Sequence, residues 1–329
     1  MSRLVVIVAA LVAAAPFPPQ PRVAIRVDAT RALGLMTPMW AWFGHDEPND
    51  TYMKDGRKLP TELAALSPAP VRAISNGFEI AASYPEVRNV PVVIGESDPE
   101  GCAACPARVY PANTYRNGTM YSSYTAEQIA RTYELAARHR VNLLGSVTWA
   151  FEFEDQPYFD GFRDLSTNGI AKPVLNVFRM LGKMRGDRVW VESSGAVPLD
   201  SILARGRAGS DISALASRDA RGITVLVWNY HDDDLPAAAA DVDLAVDGVG
   251  DAHPTLRHYR VDRDHSNAYE IWKALGSPQQ PTADRRARLE TSGQLQVLDP
   301  PKQVSAENGQ VKLTFTLPRQ AVSLVTVTW

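Results

Sequence analysis

The sequence predicts an α/β domain followed by an all-β domain, an antiparallel β-sandwich. Three observations support this prediction. Short apolar strands alternate with segments of helical spacing in the first half of the chain, and alternating β segments dominate after residue 186. A length of 329 residues is also typical of two domains. The predicted boundaries are 1–21 for a leader, 22–185 for the α/β domain and 186–329 for the β-sandwich.

The first half contains compact apolar runs of the kind that form buried parallel strands. Val90–Ile94 and Asn142–Trp149 are two such runs, and each is followed by charged or aromatic residues. Thr125–His139 and Lys172–Met184 have helical spacing, and the first opens with a Thr-Ala-Glu-Gln helix start. Strands that alternate with helices in this way predict a parallel sheet.

The second half consists of β segments separated by turn residues. Ile223–Tyr230, Val311–Leu317 and Val322–Trp329 have the residue pattern of strands. Asn308-Gly309 is a typical hairpin turn. A polar insertion, Ser266–Gln294, has helical character and interrupts the β pattern.

The charge of the chain excludes some classes of partner. The net charge is -3 and the pI is about 6.1. The sequence therefore has neither the excess of basic residues that binds nucleic acid nor a polybasic segment that binds an anionic membrane. We therefore expect a neutral or small-molecule partner, with no nucleic acid and no membrane. The sequence indicates no cofactor.

Two motifs could be read as metal sites, but neither is convincing. Cys102 and Cys105 form a C-A-A-C motif, whereas a structural zinc ion needs four ligands. A local disulfide or a free pair that ties a loop is favoured over redox chemistry. His231 precedes three aspartates, which cannot all face one ion, so a solvated hairpin turn is favoured there. We expect no metal.

The start of the chain has the composition of an export signal. Arg3 precedes an apolar run, Leu4–Ala15, that is too short to span a bilayer and ends in small residues. Pro16 hinders cleavage after this run, so an uncleaved apolar tail is the alternative. The Pro-rich residues 16–21 form a stiff spacer. The Ala- and Arg-rich composition suggests a bacterial source, so we expect a periplasmic or secreted protein.

Acidic and aromatic residues cluster where three predicted strands end. In a parallel α/β barrel, side chains at the carboxyl ends of the strands point into the active site. Glu96 follows one apolar strand directly. The strand ends at 146–154 and 39–47 combine tryptophans with acids, as sugar sites do. The structural alternatives are a core tryptophan, solvated acids and, for Glu96, an ion pair with a loop arginine.

Four long segments of the chain resemble family 39 of the glycoside hydrolases. "PMWAWFGHDEPNDTYMKDGRKL" is similar to the first barrel strand and loop of that family, and "VPVVIGESDPEGCAACPARVYP" to its nucleophile strand. "TWAFEFEDQPYFDGFRDLSTNGIAKPVLNVFRMLGKM" is similar to its last strand and helix. "HYRVDRDHSNAYEIWKALGSPQQPT" resembles part of the β-sandwich of its bacterial β-xylosidases.

The resemblance implies a retaining β-xylosidase acting on xylosides or xylo-oligosaccharides. Glu96 would be the nucleophile that forms a covalent glycosyl-enzyme. Six further residues would line the sugar subsite: Trp42, His45, Asp46, Trp149, Glu152 and Glu154.

The resemblance also implies that the catalytic barrel is incomplete. The acid/base of the family is the Glu of an Asn-Glu-Pro segment, which this sequence lacks. Only residues 46–95 separate His45 from Glu96, and residues 22–185 are fewer than the roughly 200 that a closed barrel needs. We therefore expect a TIM-type barrel remnant of about three βα units, with strands near 39–44, 91–95 and 143–149.

Loss of the middle of the barrel leaves three interpretations of function open. The chain is a glycosidase by descent with weak or no activity, a non-catalytic sugar-binding remnant, or a non-functional deletion product. Exposed strand edges after such a loss also make homo-oligomerisation an expectation.

Overall fold

Residues 22–43, 70–85, 89–96, 99, 102–148, 151–153, 155–207 and 209–329 are described by the structure, a computed structural model. The strands are β1 (Val23–Leu35), β2 (Trp42–Phe43), β3 (Val92–Ile94), β4 (Leu143–Thr148), β5 (Ser166–Thr167), β6 (Ile170–Ala171), β7 (Asp187–Ser193), β8 (Asp211–Asp219), β9 (Gly222–Tyr230), β10 (Ala240–Asp247), β11 (Thr255–Val261), β12 (Gln296–Gln303), β13 (Gln310–Leu317) and β14 (Val322–Thr328). The helices are α1 (Pro70–Ser83), α2 (Thr119–His139), α3 (Pro173–Leu181), α4 (Leu199–Arg205), α5 (Ala268–Ala274) and α6 (Ala283–Ser292), with a 3-10 helix at Pro111–Asn117.

Three short parallel strands form one sheet, in the order β2-β4-β3. The central strand β4 pairs with β2 through Val147 and Trp42, and with β3 through Ser146 and Ile94. Because the strands are parallel, their carboxyl ends meet at the same edge of the sheet. The three strands lie where the sequence predicted them.

A second sheet contains nine of the described strands, in the order β12-β11-β14-β9-β8-β7-β1-β10-β13. Neighbours are antiparallel except β1 and β10. The strand β1 lies between β7 and β10, although it precedes the parallel strands in sequence. The junction between β7 and β8 is narrow, because β7 pairs with β8 only along Asp187–Val189.

Strands from both sides of this junction line one hydrophobic core. Ile25 of β1 and Leu244 of β10 belong to it together with Val225 of β9 and Val327 of β14. The sheet therefore curls so that its two halves share an apolar interior. Hydrogen bonding runs through all nine strands, so the division into two sheets that the sequence predicted is not confirmed.

The outer face of β9 is buried as well, beneath helices α2 and α3. Leu226 and Trp228 of β9 form a second core with Tyr133 of α2 and Val177 of α3. Alternate residues of a strand point to opposite faces, so burial of both faces requires a continuous apolar run. The sequence of β9, GITVLVWNY, is such a run.

Short-range sequence features explain the Asn308-Gly309 turn and the helices of the insertion. Asn308 and Gly309 have φ angles of 52° and 73°, the left-handed pair that a two-residue hairpin turn requires. The insertion contains α5 and α6, as its helical character predicted. Asn267 and Thr282 cap these helices by accepting hydrogen bonds from backbone N–H groups in their first turns.

A buried ionic network joins α2 to the curled sheet. The guanidinium of Arg131, with its side chain 9% exposed, donates to Asp211 at 2.9 Å and to the carbonyl of Val197 at 2.7 Å. It also donates to Glu127, at 3.2 Å, and Arg207 pairs with the same carboxylate. Burial raises the pKa of Glu127 despite these two cations. Each charge in the network thus depends on its partners for compensation.

None of the described helices combines the length and the apolar composition that a bilayer crossing needs.

Replacing Asp211 by alanine should lower the free energy of unfolding by about 3–5 kcal/mol, because it leaves the buried Arg131 charge without a main partner. Urea denaturation measures the change. The control is Asp200→Ala, since Asp200 pairs with Arg138 where the two side chains are 80% and 46% exposed. That variant should lose less than about 1 kcal/mol. Equal losses in the two variants would contradict a structural role for the network.

Candidate active site

Glu96 lies at the carboxyl edge of the parallel sheet. It comes two residues after Ile94, which pairs with Ser146 of β4. The register therefore places Glu96 level with Thr148, the last residue of β4, which pairs with Phe43 at the end of β2. The three strand ends that the sequence singled out thus meet at one edge.

A buried arginine contacts the carboxylate of Glu96. The guanidinium of Arg163 forms an ion pair with Glu96, whose side chain is 42% exposed, whereas the Arg163 side chain is 0% exposed. Burial lowers the pKa of Arg163 to about 9, so the guanidinium is still a cation at neutral pH. This pair is the loop-arginine alternative that the sequence left open for Glu96. The cation favours the ionised carboxylate, which is the form that a nucleophile needs.

The loop that carries Arg163 is held by the 3-10 helix. The side chain of Asn117 donates to the carbonyl of Phe159 at 2.7 Å and accepts from the N–H of Gly161 at 3.1 Å. Gly161 has a φ of 75°, and a Cβ there would lie 2.6 Å from the Cβ of Ala107. Only glycine therefore fits this loop without displacing its support.

A disulfide lies beside the same loop. Cys102 and Cys105 are bonded, with their Cα atoms 5.5 Å apart. The guanidinium of Arg116 donates to the carbonyl of Cys102 at 2.9 Å, and the N–H of Arg163 donates to the carbonyl of Ala103 at 3.0 Å. The C-A-A-C motif thus forms the local disulfide that was one of its two expected states, and it supports the backbone of Arg163.

Glu152 is anchored by the hairpin of β5 and β6. The hydroxyl of Ser166 donates to one of its carboxylate oxygens, and the N–H of Gly169 donates to both, at 3.0 and 3.1 Å. Gly169 has a φ of 77°, which a hairpin turn of this kind needs. The half-buried carboxylate is therefore fixed in place as a hydrogen-bond acceptor.

A second buried ion pair lies next to Arg163 in sequence. Asp164 pairs with Lys172, and the Lys172 ammonium donates to the carbonyl of Phe162 at 2.9 Å. Burial raises the pKa of Asp164 to about 6 and lowers the pKa of Lys172, since both charges are removed from water. The pair ties the Arg163 loop to the end of β6.

The structure locates only part of the predicted site. Glu96 and Glu152 are described in full, and Trp42 is described as a backbone position on β2. His45, Asp46, Trp149 and Glu154 lie outside the described residues. The role of each of these residues stays a prediction.

Sequence reasoning missed Arg163, Ser166 and Gly169. The sequence prediction rested on polar residues directly after an apolar strand. Arg163 lies in a loop instead, and Ser166 and Gly169 lie in the short hairpin of β5 and β6. No local pattern in the sequence marks Arg163, because its burial and its pairing with Glu96 arise only in the folded chain. In the described part of the chain, no group of three or more His, Cys, Asp or Glu residues could hold a metal ion.

One family profile matches most of the chain. The profile described as "Glycosyl hydrolases family 39" matches residues 51–309. A β-xylosidase of Caldicellulosiruptor saccharolyticus is 24% identical over 122 residues, which are 37% of this chain and 22% of that protein.

Solved structures share the fold at low identity. A bacterial orthologue of human α-L-iduronidase has a TM-score of 0.63 and 17% identity, over 78% of this chain and 46% of that one. A monomeric β-xylosidase from Caulobacter crescentus CB15 has a TM-score of 0.59 and 17% identity, over 80% of this chain and 50% of that one. The chain thus has a partial TIM-barrel-type fold and spans at most half the length of these relatives.

Replacing Gly161 by alanine should destabilise the protein by about 1–3 kcal/mol, because the new Cβ meets Ala107 at a positive φ. Thermal denaturation measures the loss. Gly77→Ala is the control, since Gly77 lies within α1 and a Cβ there meets nothing within 4 Å. That variant should be neutral or slightly stabilised. A Gly161 variant as stable as the Gly77 variant would show that the loop is not held as described.

Proposed function

The chain belongs to glycosyl hydrolases family 39, and from this membership we propose that it is a retaining β-xylosidase by descent whose catalytic barrel lacks its middle strands. The observation that carries the proposal is the position of Glu96. A carboxylate paired with a buried guanidinium stands at the carboxyl edge of parallel strands, where barrel enzymes place their catalytic groups.

The strand order supports the loss of the middle of the barrel. In a closed barrel the last strand pairs both with the first strand and with the strand before it. Here β4, the last of the three in sequence, lies between β2 and β3. This order is the one expected if the three strands are the first, seventh and eighth of the barrel that the family resemblance implies.

The proposed chemistry begins with attack of the Glu96 carboxylate on the anomeric carbon of a xyloside. The bond to the leaving oxygen breaks and a covalent glycosyl-enzyme forms, which water then hydrolyses with net retention. Retaining enzymes place a second carboxyl group about 5–5.5 Å from the nucleophile to protonate the leaving oxygen. Without the Asn-Glu-Pro segment, unactivated substrates should react very slowly, since general acid catalysis contributes about 10²–10⁴-fold.

Glu152 and the strand-end aromatic residues form the proposed sugar subsite. The anchored carboxylate of Glu152 can accept hydrogen bonds from sugar hydroxyls without reorganisation. Trp149 and Trp42 would present ring faces to the sugar, and His45 and Asp46 would bind further hydroxyls. Glu154 is the alternative to Glu152 for the acidic position.

Export is part of the proposal. The disulfide between Cys102 and Cys105 is typical of an oxidising compartment such as the periplasm or the extracellular space. N-terminal sequencing of the protein recovered from a bacterial periplasm would test whether the leader at residues 1–21 is removed.

An activated substrate should reveal the nucleophile. With dinitrophenyl β-xyloside, whose leaving group needs no proton, we expect a stoichiometric burst and an accumulating pentosyl adduct on the peptide that contains Glu96. Azide needs no general base and should convert the burst into slow turnover. Rapid-mixing absorbance and mass spectrometry measure the two effects.

The matched control is Glu96→Ala, which should abolish both the burst and the adduct. Brisk hydrolysis of xylobiose would refute the missing acid/base, because another group would have to protonate the leaving oxygen. Absence of both burst and adduct in the unmodified protein would refute the proposed activity and favour a sugar-binding or non-functional remnant.

Replacing Arg163 by methionine should shift the acid limb of adduct formation to higher pH. Loss of the adjacent cation makes the Glu96 carboxylate easier to protonate, so less of it is ionised at a given pH. The pH dependence of the burst rate measures this shift, and Arg163→Lys should restore most of the original profile.

Arg108→Met provides the comparison, because Arg108 forms an ion pair with Asp160 in the same region and not with Glu96. Its profile should coincide with that of the unmodified protein. If Arg163→Met lowers stability but leaves the acid limb in place, the ion pair is only structural.

A further inference from the structure

The outer face of the curled sheet becomes polar beyond the end of helix α3. Four side chains on neighbouring strands stand in one row there. Ser217 of β8 pairs with Thr224 of β9, Thr224 with Thr326 of β14, and Thr326 with Arg257 of β11. Paired residues in a sheet point to the same face, so three hydroxyls and a guanidinium lie side by side.

Thr224, Thr326 and Arg257 of this row form the floor of an open groove of about 830 Å³, which residues from α3 and the β8–β9 turn also line. Ser217 is buried and does not line it. The groove shares no lining residue with the candidate active site. Five of its lining side chains are cations: Arg179, Lys183, Arg185, Arg221 and Arg257. Asp219 has the one acidic side chain among its lining residues, and its carboxylate lies 3.9 Å from the guanidinium of Arg221.

The cations of the groove are largely uncompensated. Among the described residues, Arg185 and Arg257 have no carboxylate partner within ion-pairing distance. Lys183 contacts the ring of Tyr259, with its Nζ 5.1 Å from the ring centroid. A chain with a net charge of -3 therefore concentrates positive charge at one place on its surface. Such a concentration attracts anions.

Helix stability explains only part of this pattern. Cations at the end of α3 interact favourably with the helix dipole, which accounts for Lys183 and Arg185. Arg257 lies on a strand and Arg221 lies in a turn, so neither gains from that dipole. The helix dipole therefore does not account for their presence in the same groove.

We propose that this groove binds a saccharide that carries a carboxylate, such as a hexuronic acid residue of an oligosaccharide. The guanidinium groups would bind the carboxylate, and the threonine hydroxyls of the floor would bind sugar hydroxyls. The partly buried rings of Tyr259 and Trp329, which also line the groove, present apolar surface for the sugar C–H groups. A glycoside hydrolase meets saccharides as its partners, which favours this class over nucleic acid.

Isothermal titration calorimetry of the full chain with two tetrasaccharides tests the proposal. One is a xylotriose that bears a glucuronic acid, and the other is neutral xylotetraose. At low salt we expect the acidic sugar to bind about tenfold more tightly or better, since two or more charge-assisted contacts are gained. The preference should weaken as salt is added.

The double variant Arg185→Glu, Arg257→Glu should lose this preference and keep its melting temperature. Arg285→Glu, Arg288→Glu is the control with the same change of charge, on the exposed surface of α6, and should keep the preference. If the first variant does not fold, the single variant Arg257→Gln replaces it.

Three results would overturn the proposal. Equal affinity for the two sugars would show that the groove does not bind the carboxylate. A preference that survives in the double variant would place the acidic sugar elsewhere, including the candidate active site. Inorganic phosphate that binds the groove as tightly as the acidic sugar would show a general anion site. None of these measurements depends on catalysis by Glu96, so they stand apart from the proposed xylosidase activity.

Discussion

Burial of both faces of β9 and β14 is the constraint on which the rest of the structure depends. Inward residues such as Val225 and Val325 pack in the interior of the curled sheet, and outward residues such as Leu226 and Leu324 pack beneath helices α2 and α3. Over this stretch neither strand has a solvent side, and only beyond the end of α3 does the outer face open into the polar groove. The helices are therefore required to cover the sheet, and the sheet in turn gives them a rigid base.

This arrangement explains how three short parallel strands can be ordered. A three-stranded sheet of this size is marginal by itself. Here β3 and β4 pack through Ile94 and Leu143 against α1 and α2, and Phe78 of α1 is buried in the same cluster. Helix α2 is fixed to the curled sheet by the second core and by the ionic network of Arg131. The large sheet thus fixes the position of α2, and α2 in turn supports the strands at whose edge Glu96 lies.

The loop beside Glu96 is held from two directions. The 3-10 helix and the disulfide support it through Asn117 and the carbonyl of Ala103. The insertion of the curled sheet supports the following segment, because Arg286 of α6 donates to the carbonyl of Asn168 at 3.0 Å and to the hydroxyl of Tyr158 at 2.9 Å. A buried cation such as Arg163 needs this rigid setting, since a mobile loop would let it return to water.

The sequence by itself determined the three parallel strands, three strands of the large sheet (β9, β13 and β14), helices α2 and α3 and the edge at which Glu96 lies, because those features follow from local periodicity and from the parallel direction of three strands. It did not single out β7, β8, β10, β11 or β12. The long segments that resemble family 39 of the glycoside hydrolases identified the family correctly, and the profile match confirms it. The turn at Asn308-Gly309 was equally readable, since its left-handed backbone selects those residues locally.

Only the tertiary structure decided which distant groups meet. The pairing of Glu96 with Arg163 and the pairing of β1 with both β7 and β10 join residues far apart in sequence. The polar groove lined by Thr224, Thr326 and Arg257 depends on the register of three strands. Local patterns carry no information about register between distant segments, because it is set by the free energy of packing them together.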